Sequence, residues 1–243
     1  MTGIGAASVF MTREVNRRFL DLMLGFAGGV MLAASYWSLL APAIEMSAGD
    51  GIPVWIPAVV GFLIGGIVMR LAESALPYLH IDIGDGGDDE TSHTRTLMLI
   101  LAVTTHNIPE GLAIGVAFGA FALGYPAATL AGAIGLAIGI GIQNLPEGMA
   151  VSMPLRQEGM SARHSFWYGQ LSGIVEPVAA IFGAAAILVA EPLLPYALSF
   201  AAGAMVFVVV EEIVPEAQEN PGLATIGLFF GFALMMALDV VLG

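Results

Sequence analysis

The chain has 243 residues, 58% of them hydrophobic and 11% charged, with a formal net charge of −13. Soluble domains carry roughly 25% charged residues, so the composition argues against a water-soluble enzyme or binding module. Cysteine is absent, which removes disulfides and thiolate metal sites; lysine is absent too, which removes any phosphate-binding GxxxxGK loop and with it an ATP-driven pump within this chain.

Apolar runs near the ~20 residues needed to cross a bilayer recur from end to end. Residues 1–11 are apolar but too short to span alone. With neither a basic leader nor a cleavage motif they do not read as a signal peptide; they read as a first helix that is short or whose beginning is missing. Further spans are expected at 19–45, 53–77, 95–123, 126–155, 163–189, 192–214 and 221–242. The expected fold is therefore all-α, a single integral membrane domain of eight helices over residues 1–243.

The arginines orient it. Arg13, Arg17 and Arg18 lie between spans 1 and 2, Arg70 near the end of span 3, Arg95 at the start of span 4, and Arg156 and Arg163 between spans 5 and 6. If the helices alternate, all seven fall on one side, which the positive-inside rule makes cytoplasmic, leaving both termini outside. Phe26-Ala27-Gly28-Gly29-Val30-Met31 in span 2 and Phe200-Ala201-Ala202-Gly203-Ala204-Met205 in span 7 are similar, and each precedes a proline, Pro42 and Pro215. These spans run in opposite directions. An inverted repeat of helices 1–3 and 6–8 around kinked helices 4 and 5 is the expected arrangement, with a substrate site near the midplane. GxxxG spacings at Gly61–Gly65, Gly115–Gly119 and Gly135–Gly139 suit packing within the chain or a homodimer alike. The stretch from Tyr78 to Thr94 is acidic, with Asp82, Asp85, Asp88, Asp89 and Glu90 beside His80 and His93; it reads as a solvated loop or a weak metal-collecting segment.

The chemistry concentrates in two near-copies 37 residues apart, His106-Asn107-Ile108-Pro109-Glu110-Gly111 and Gln143-Asn144-Leu145-Pro146-Glu147-Gly148. A carboxylate at the bilayer centre costs about 2.5 to 3.5 kcal/mol on insertion scales, so it persists mainly where it faces protein, an ion or water. On a helix His106 and Glu110 share a face, as do Gln143 and Glu147, with Asn107 and Asn144 on an adjoining strip. The two glutamates are thus placed to bridge neighbouring cation sites. Pro109 and Pro146 should free the carbonyls of Thr105 and Ile142 and bend their helices. Glu176, before Pro177, is a third intramembrane carboxylate, suited to completing the asparagine side. Imidazole, carboxylate and amide ligands without thiolate favour Zn²⁺, Cd²⁺, Fe²⁺ and Mn²⁺ over Cu⁺. Divalent metal as substrate and the lipid bilayer are the expected partners, with no nucleic acid and no organic cofactor. An intramembrane metalloenzyme is a competing reading, but HExxH is absent and no catalytic residues are assigned. A channel or proton-coupled carrier of another cation stays open.

At these residues the sequence resembles the ZIP (Zrt/Irt-like) family of divalent metal transporters, in particular its bacterial GufA-like branch, and the likeness extends over essentially the whole chain. The resemblance implies eight helices in a bacterial plasma membrane and a binuclear mid-membrane site. One metal position takes His106, Glu110, Gln143 and Glu147, with Met31 close by; the second takes Asn107, Glu110, Asn144, Glu147 and Glu176. On the exit side it implies passing contacts with Glu73, His80, Glu211 and Glu212. It further implies a bundle of helices 1, 4, 5 and 6 moving against helices 2, 3, 7 and 8. The chain has Asn144 where relatives carry aspartate and Tyr78 and Glu211 where relatives carry histidine, departures that bear on the second metal and the exit path; Gln143 and Pro146 replace the two histidines of many members, so metal preference does not carry over.

Overall fold

Long apolar segments can satisfy their backbone groups in lipid only as helices or closed barrels, and this chain uses helices. A computed structural model describes residues 1–12, 16–48, 52–75 and 90–242, apart from the side chains of 90–99 and 102. The helices are α1 (Thr2–Ala6, running on as a 3₁₀ turn over Ala7–Phe10), α2 (Arg17–Met46), α3 (Trp55–Ala75), α4 (Glu90–Ala122), α5 (Leu130–Gln157), α6 (Ala162–Val189), α7 (Glu191–Glu216) and α8 (Pro221–Leu242). Among the described residues there is no strand. All but α1 and α4 qualify by length and composition as membrane spans, and α4 runs for 33 residues. His80, Tyr78 and most of the acidic 82–90 stretch lie outside the described residues.

Side chains at the helix starts fix several boundaries. Asn16 accepts from the Phe19 amide at 3.2 Å, Thr129 from Gly132 at 2.8 Å and Ser161 from His164 at 3.3 Å, each satisfying an amide that a helix N-terminus leaves unpaired. Two features differ from the expected spans. The fourth helix begins at Glu90, earlier than expected, and α6 is interrupted: its first part ends at Ser172 and its second starts at Val175. Helices α4 and α5 continue without a break through Pro109 and Pro146.

The helices pair as α2 with α8, α3 with α7, α4 with α6 and α1 with α5. Glycines set these pairs, because lipid gives helices no hydrophobic reason to associate and close backbone approach must supply the attraction. Gly61 and Gly65 of α3 lie on the main-chain carbonyls of Tyr196 and Phe200 in α7; Gly227 and Gly231 of α8 lie in the same way on Leu22 and Phe26 in α2. In return Gly203 meets the Phe62 carbonyl and Gly29 that of Leu228. The α3–α7 pair thus repeats the contacts of the α8–α2 pair, which relates α2 and α3 to α7 and α8 as an inverted repeat would. The GxxxG glycines at 61, 65 and 115 are occupied by neighbours within the chain.

The repeat extends to an irregularity. A π-helical turn over Ser35–Leu40 follows Met31 in α2, and another over Val209–Ile213 follows Met205 in α7. Each precedes its proline, whose missing N–H and ring disturb the regular ladder. Large apolar side chains of α3 (Leu63, Ile67, Leu71), α6 (Ile181, Phe182) and α8 (Phe229, Phe230) are exposed, as a lipid-facing surface requires. The centres of α2, α4, α5 and α7 are enclosed.

Candidate metal site at the centre of the bundle

Gly111, closing the first motif, lies against the backbone of Glu176 in α6, and Gly148, closing the second, against the Thr2 carbonyl of α1. A side chain at either position would push the partner helix away. The break in α6 at Gly173 and Ile174 puts Glu176 in the first turn of a new helical segment, with Pro177 beside it. The three intramembrane glutamates are thereby drawn to one level of the bundle.

Their contacts divide into small groups. Gln143 Nε2 donates to Glu110 Oε1 at 2.5 Å and to Glu147 Oε1 at 3.5 Å, so one amide bridges two carboxylates on different helices. Asn144 Nδ2 donates to Glu176 Oε2 at 2.6 Å. Asn107 Nδ2 donates to the Ser172 carbonyl at 2.9 Å, one of the groups left free where α6 breaks. His106 Nε2 contacts Glu212 Oε1 of α7, so Glu212, expected on the exit side, borders the histidine directly. Met31 is wholly buried in the apolar core of the bundle.

All six motif residues are buried. Their donors are used, but Asn107 Oδ1, Glu110 Oε2, Gln143 Oε1, Asn144 Oδ1, Glu147 Oε2 and Glu176 Oε1 have no hydrogen-bond partner. Buried polar atoms are nearly always satisfied, and each exception calls for a reason. Six unpartnered acceptor oxygens thus lie on the two motifs and Glu176. Among the described residues no three His, Cys, Asp or Glu side chains form a metal-holding group by themselves.

A cavity of about 660 Å³ leads from His106, Asn107 and Glu147 to the end of the bundle where the arginines cluster. Glu73, Glu158, Glu211, Glu212 and Glu216 line it; of these, sequence reading had missed Glu158 and Glu216. A smaller cavity of about 250 Å³ opens at the opposite end, lined by Trp37, Ser38, Glu45, Thr129 and Asp239 among others. Between them along the helices lie Met31, Ile140 and Met205, all wholly buried. The centre is thus accessible from the arginine side and sealed by apolar side chains from the other. Asp239 and Asp21 were also missed; each is an ionisable residue inside an apolar span, a signal sufficient to single them out.

A model of the ZIP zinc transporter family matches residues 80–239, the part of the chain that carries both motifs and Glu176. The chain belongs to the ZIP family. All of it aligns with zinc transporter ZIP11 of Homo sapiens at 44% identity, with zinc transporter GufA of Myxococcus xanthus at 38%, and with zinc transporter ZIPB of Bordetella bronchiseptica at 36%. It covers 94%, 94% and 78% of those proteins. Membership in the ZIP family, in its GufA-like branch, makes the chain a multi-pass membrane transporter of metal ions and not an enzyme.

Proposed function

We propose that this ZIP protein carries divalent transition metal, zinc foremost, inward across the plasma membrane by alternating access through a binuclear site at the bundle centre. The observation that carries the proposal is the group of six unpartnered, buried oxygens on Asn107, Glu110, Gln143, Asn144, Glu147 and Glu176. Zinc is favoured because the homologous transporters are named for it and because the donors are imidazole, carboxylate and amide. Cd²⁺, Fe²⁺ and Mn²⁺ suit the same donors.

In this reading His106, Glu110, Gln143 and Glu147 form one position, and Asn107, Asn144 and Glu176 complete the other around the shared glutamates. Glu211 and Glu212 pass the ion down the large cavity, past Glu73 at its mouth. With the arginine end cytoplasmic by the positive-inside rule, both termini lie outside and the conformation described here is inward-open. Outward opening requires α1, α4, α5 and α6 to shift against α2, α3, α7 and α8, separating His106 from Glu212 and parting the layer of Met31, Ile140 and Met205. Zinc uptake into right-side-out membrane vesicles tests the proposal. Wild type should accumulate zinc saturably and Glu110→Ala should not; undiminished uptake by that variant would overturn the assignment.

A further inference from the structure

The pseudo-twofold that relates the helices also relates the two cavities, but it does not relate their charges. Asp239 of α8 stands where Glu73 stands in α3, each twelve residues beyond an equivalent glycine, Gly227 and Gly61. Ser38 and Glu212 correspond in the same way, each seven residues after Met31 and Met205. In the outer cavity Asp239 is 8% exposed, accepts from the neutral Ser38 hydroxyl at 2.5 Å and leaves Oδ2 unpartnered. At the inner rim Glu73 accepts from Arg70 Nη1 at 3.2 Å.

A second arginine stands on the same rim. Arg17 Nη1 donates to Glu216 Oε1 at 3.0 Å, Nη2 to the Glu216 main-chain carbonyl, and Nε to Asp21 Oδ1 at 2.9 Å. Asp21 is wholly buried and also accepts from the Asn220 amide at 2.7 Å and its Nδ2 at 2.8 Å, which fixes the guanidinium in place. Deeper in the cavity, among the described residues, no arginine contacts Glu211 or Glu212. Glu211 and Glu212 near His106 thus have no guanidinium partner among the described residues, while Glu73 and Glu216 at the mouth are already held by guanidinium groups.

We infer that Arg17 and Arg70 are release residues, which occupy the rim carboxylates Glu216 and Glu73 so that a divalent cation leaving the centre is not captured at the cytoplasmic mouth. A guanidinium bonded to a carboxylate oxygen uses the lone pairs that a metal ion needs. The outer carboxylates Glu45 and Asp239 have no arginine partner among the described residues, so the nearly symmetric frame attracts cations at one mouth and releases them at the other. The pairing supplies no driving force; it sets how strongly each mouth retains the ion.

This inference rests on the inward transport proposed above. The experiment measures zinc uptake into right-side-out vesicles at varied external and internal zinc for wild type, Arg70→Gln, Arg17→Gln, the double variant and Arg17→Lys. The external KM should stay near the wild-type value. The internal zinc concentration that halves initial uptake should fall about fivefold in each neutral variant, the scale of a partly exposed ion pair, and further in the double variant. Arg17→Lys, which keeps a cation on the rim, should stay near wild type. The Arg70 side chain is 62% exposed, so Arg70→Gln carries the test even if Arg17→Gln fails to accumulate. An unchanged internal half-inhibition in Arg70→Gln and the double variant, with normal external kinetics, overturns this inference alone; wild type without saturable uptake overturns it together with the transport reading.

Discussion

Gln143 and Glu110, from different helices, meet at 2.5 Å, the amide Nε2 donating to Oε1 while Gln143 Oε1 and Glu110 Oε2 remain without partners. The contact orients both side chains so that their free oxygens are available together. Metal bound to purified protein tests the sharing of ligands. Glu110→Ala is expected to lose metal from both positions, whereas Asn144→Ala should keep about half of the wild-type amount, since a metal site depends on its full ligand count. Equal loss in the two variants would refute two positions bridged by glutamate.

Metal should also stabilise the fold. A ligand at 100 times its Kd adds about 2.7 kcal/mol to a protein that binds it only when folded. Unfolding temperature in detergent should therefore rise with added zinc and fall back with a chelator, and Glu147→Gln should show little rise. A full rise in that variant would remove Glu147 from the site.

The glycine contacts predict a packing cost. A methyl at Gly29 or Gly203 would meet the carbonyl of Leu228 or Phe62, and backbone cannot give way as a side-chain end can. Gly29→Ala and Gly203→Ala should each destabilise by about 1–3 kcal/mol. Gly222→Ala is the control, since nothing lies within 4 Å of a Cβ there. Thermal unfolding of the three variants checks this; equal stability would mean that α2–α8 and α3–α7 do not pack as described.

The π turn over Val209–Ile213 lets the neighbouring residues Glu211 and Glu212 both line the inner cavity, although successive residues of a regular helix diverge by about 100°. Deleting Val210 should restore the regular phase and turn Glu212 away from His106. Uptake is then expected to fall to the level of Glu212→Ala while the protein still folds. Wild-type uptake by the deletion variant would show that the π turn does not set the position of Glu212.

Each span expected from hydropathy has its helix, and both near-copy motifs fall on neighbouring helices at one depth, because a bilayer fixes span length and helical periodicity fixes which motif residues share a face. The break in α6 was harder to see: Ser172-Gly173 ahead of Glu176-Pro177 is a weak stop-and-start signal when both flanks are apolar. The contact between His106 and Glu212 was out of reach, since it depends on a π turn that shifts the phase of α7 after Met205. In the Arg17–Asp21–Asn220 cluster, Asn220 reaches Asp21, 199 positions away, only because α2 and α8 pack together.

Sequence by itself determined the membrane setting, the helices and the repeat that relates α2 and α3 to α7 and α8, and it singled out the candidate donors, all from local composition, periodicity and internal similarity. Tertiary structure alone decided which donors meet. Helix pairing through glycines, the break at Gly173 and the two π turns rotate individual side chains by amounts that one-dimensional spacing does not contain. That geometry leaves six buried oxygens of the motifs and Glu176 unpartnered, brings Glu212 to His106, and gives guanidinium partners to Glu73 and Glu216 at the inner mouth.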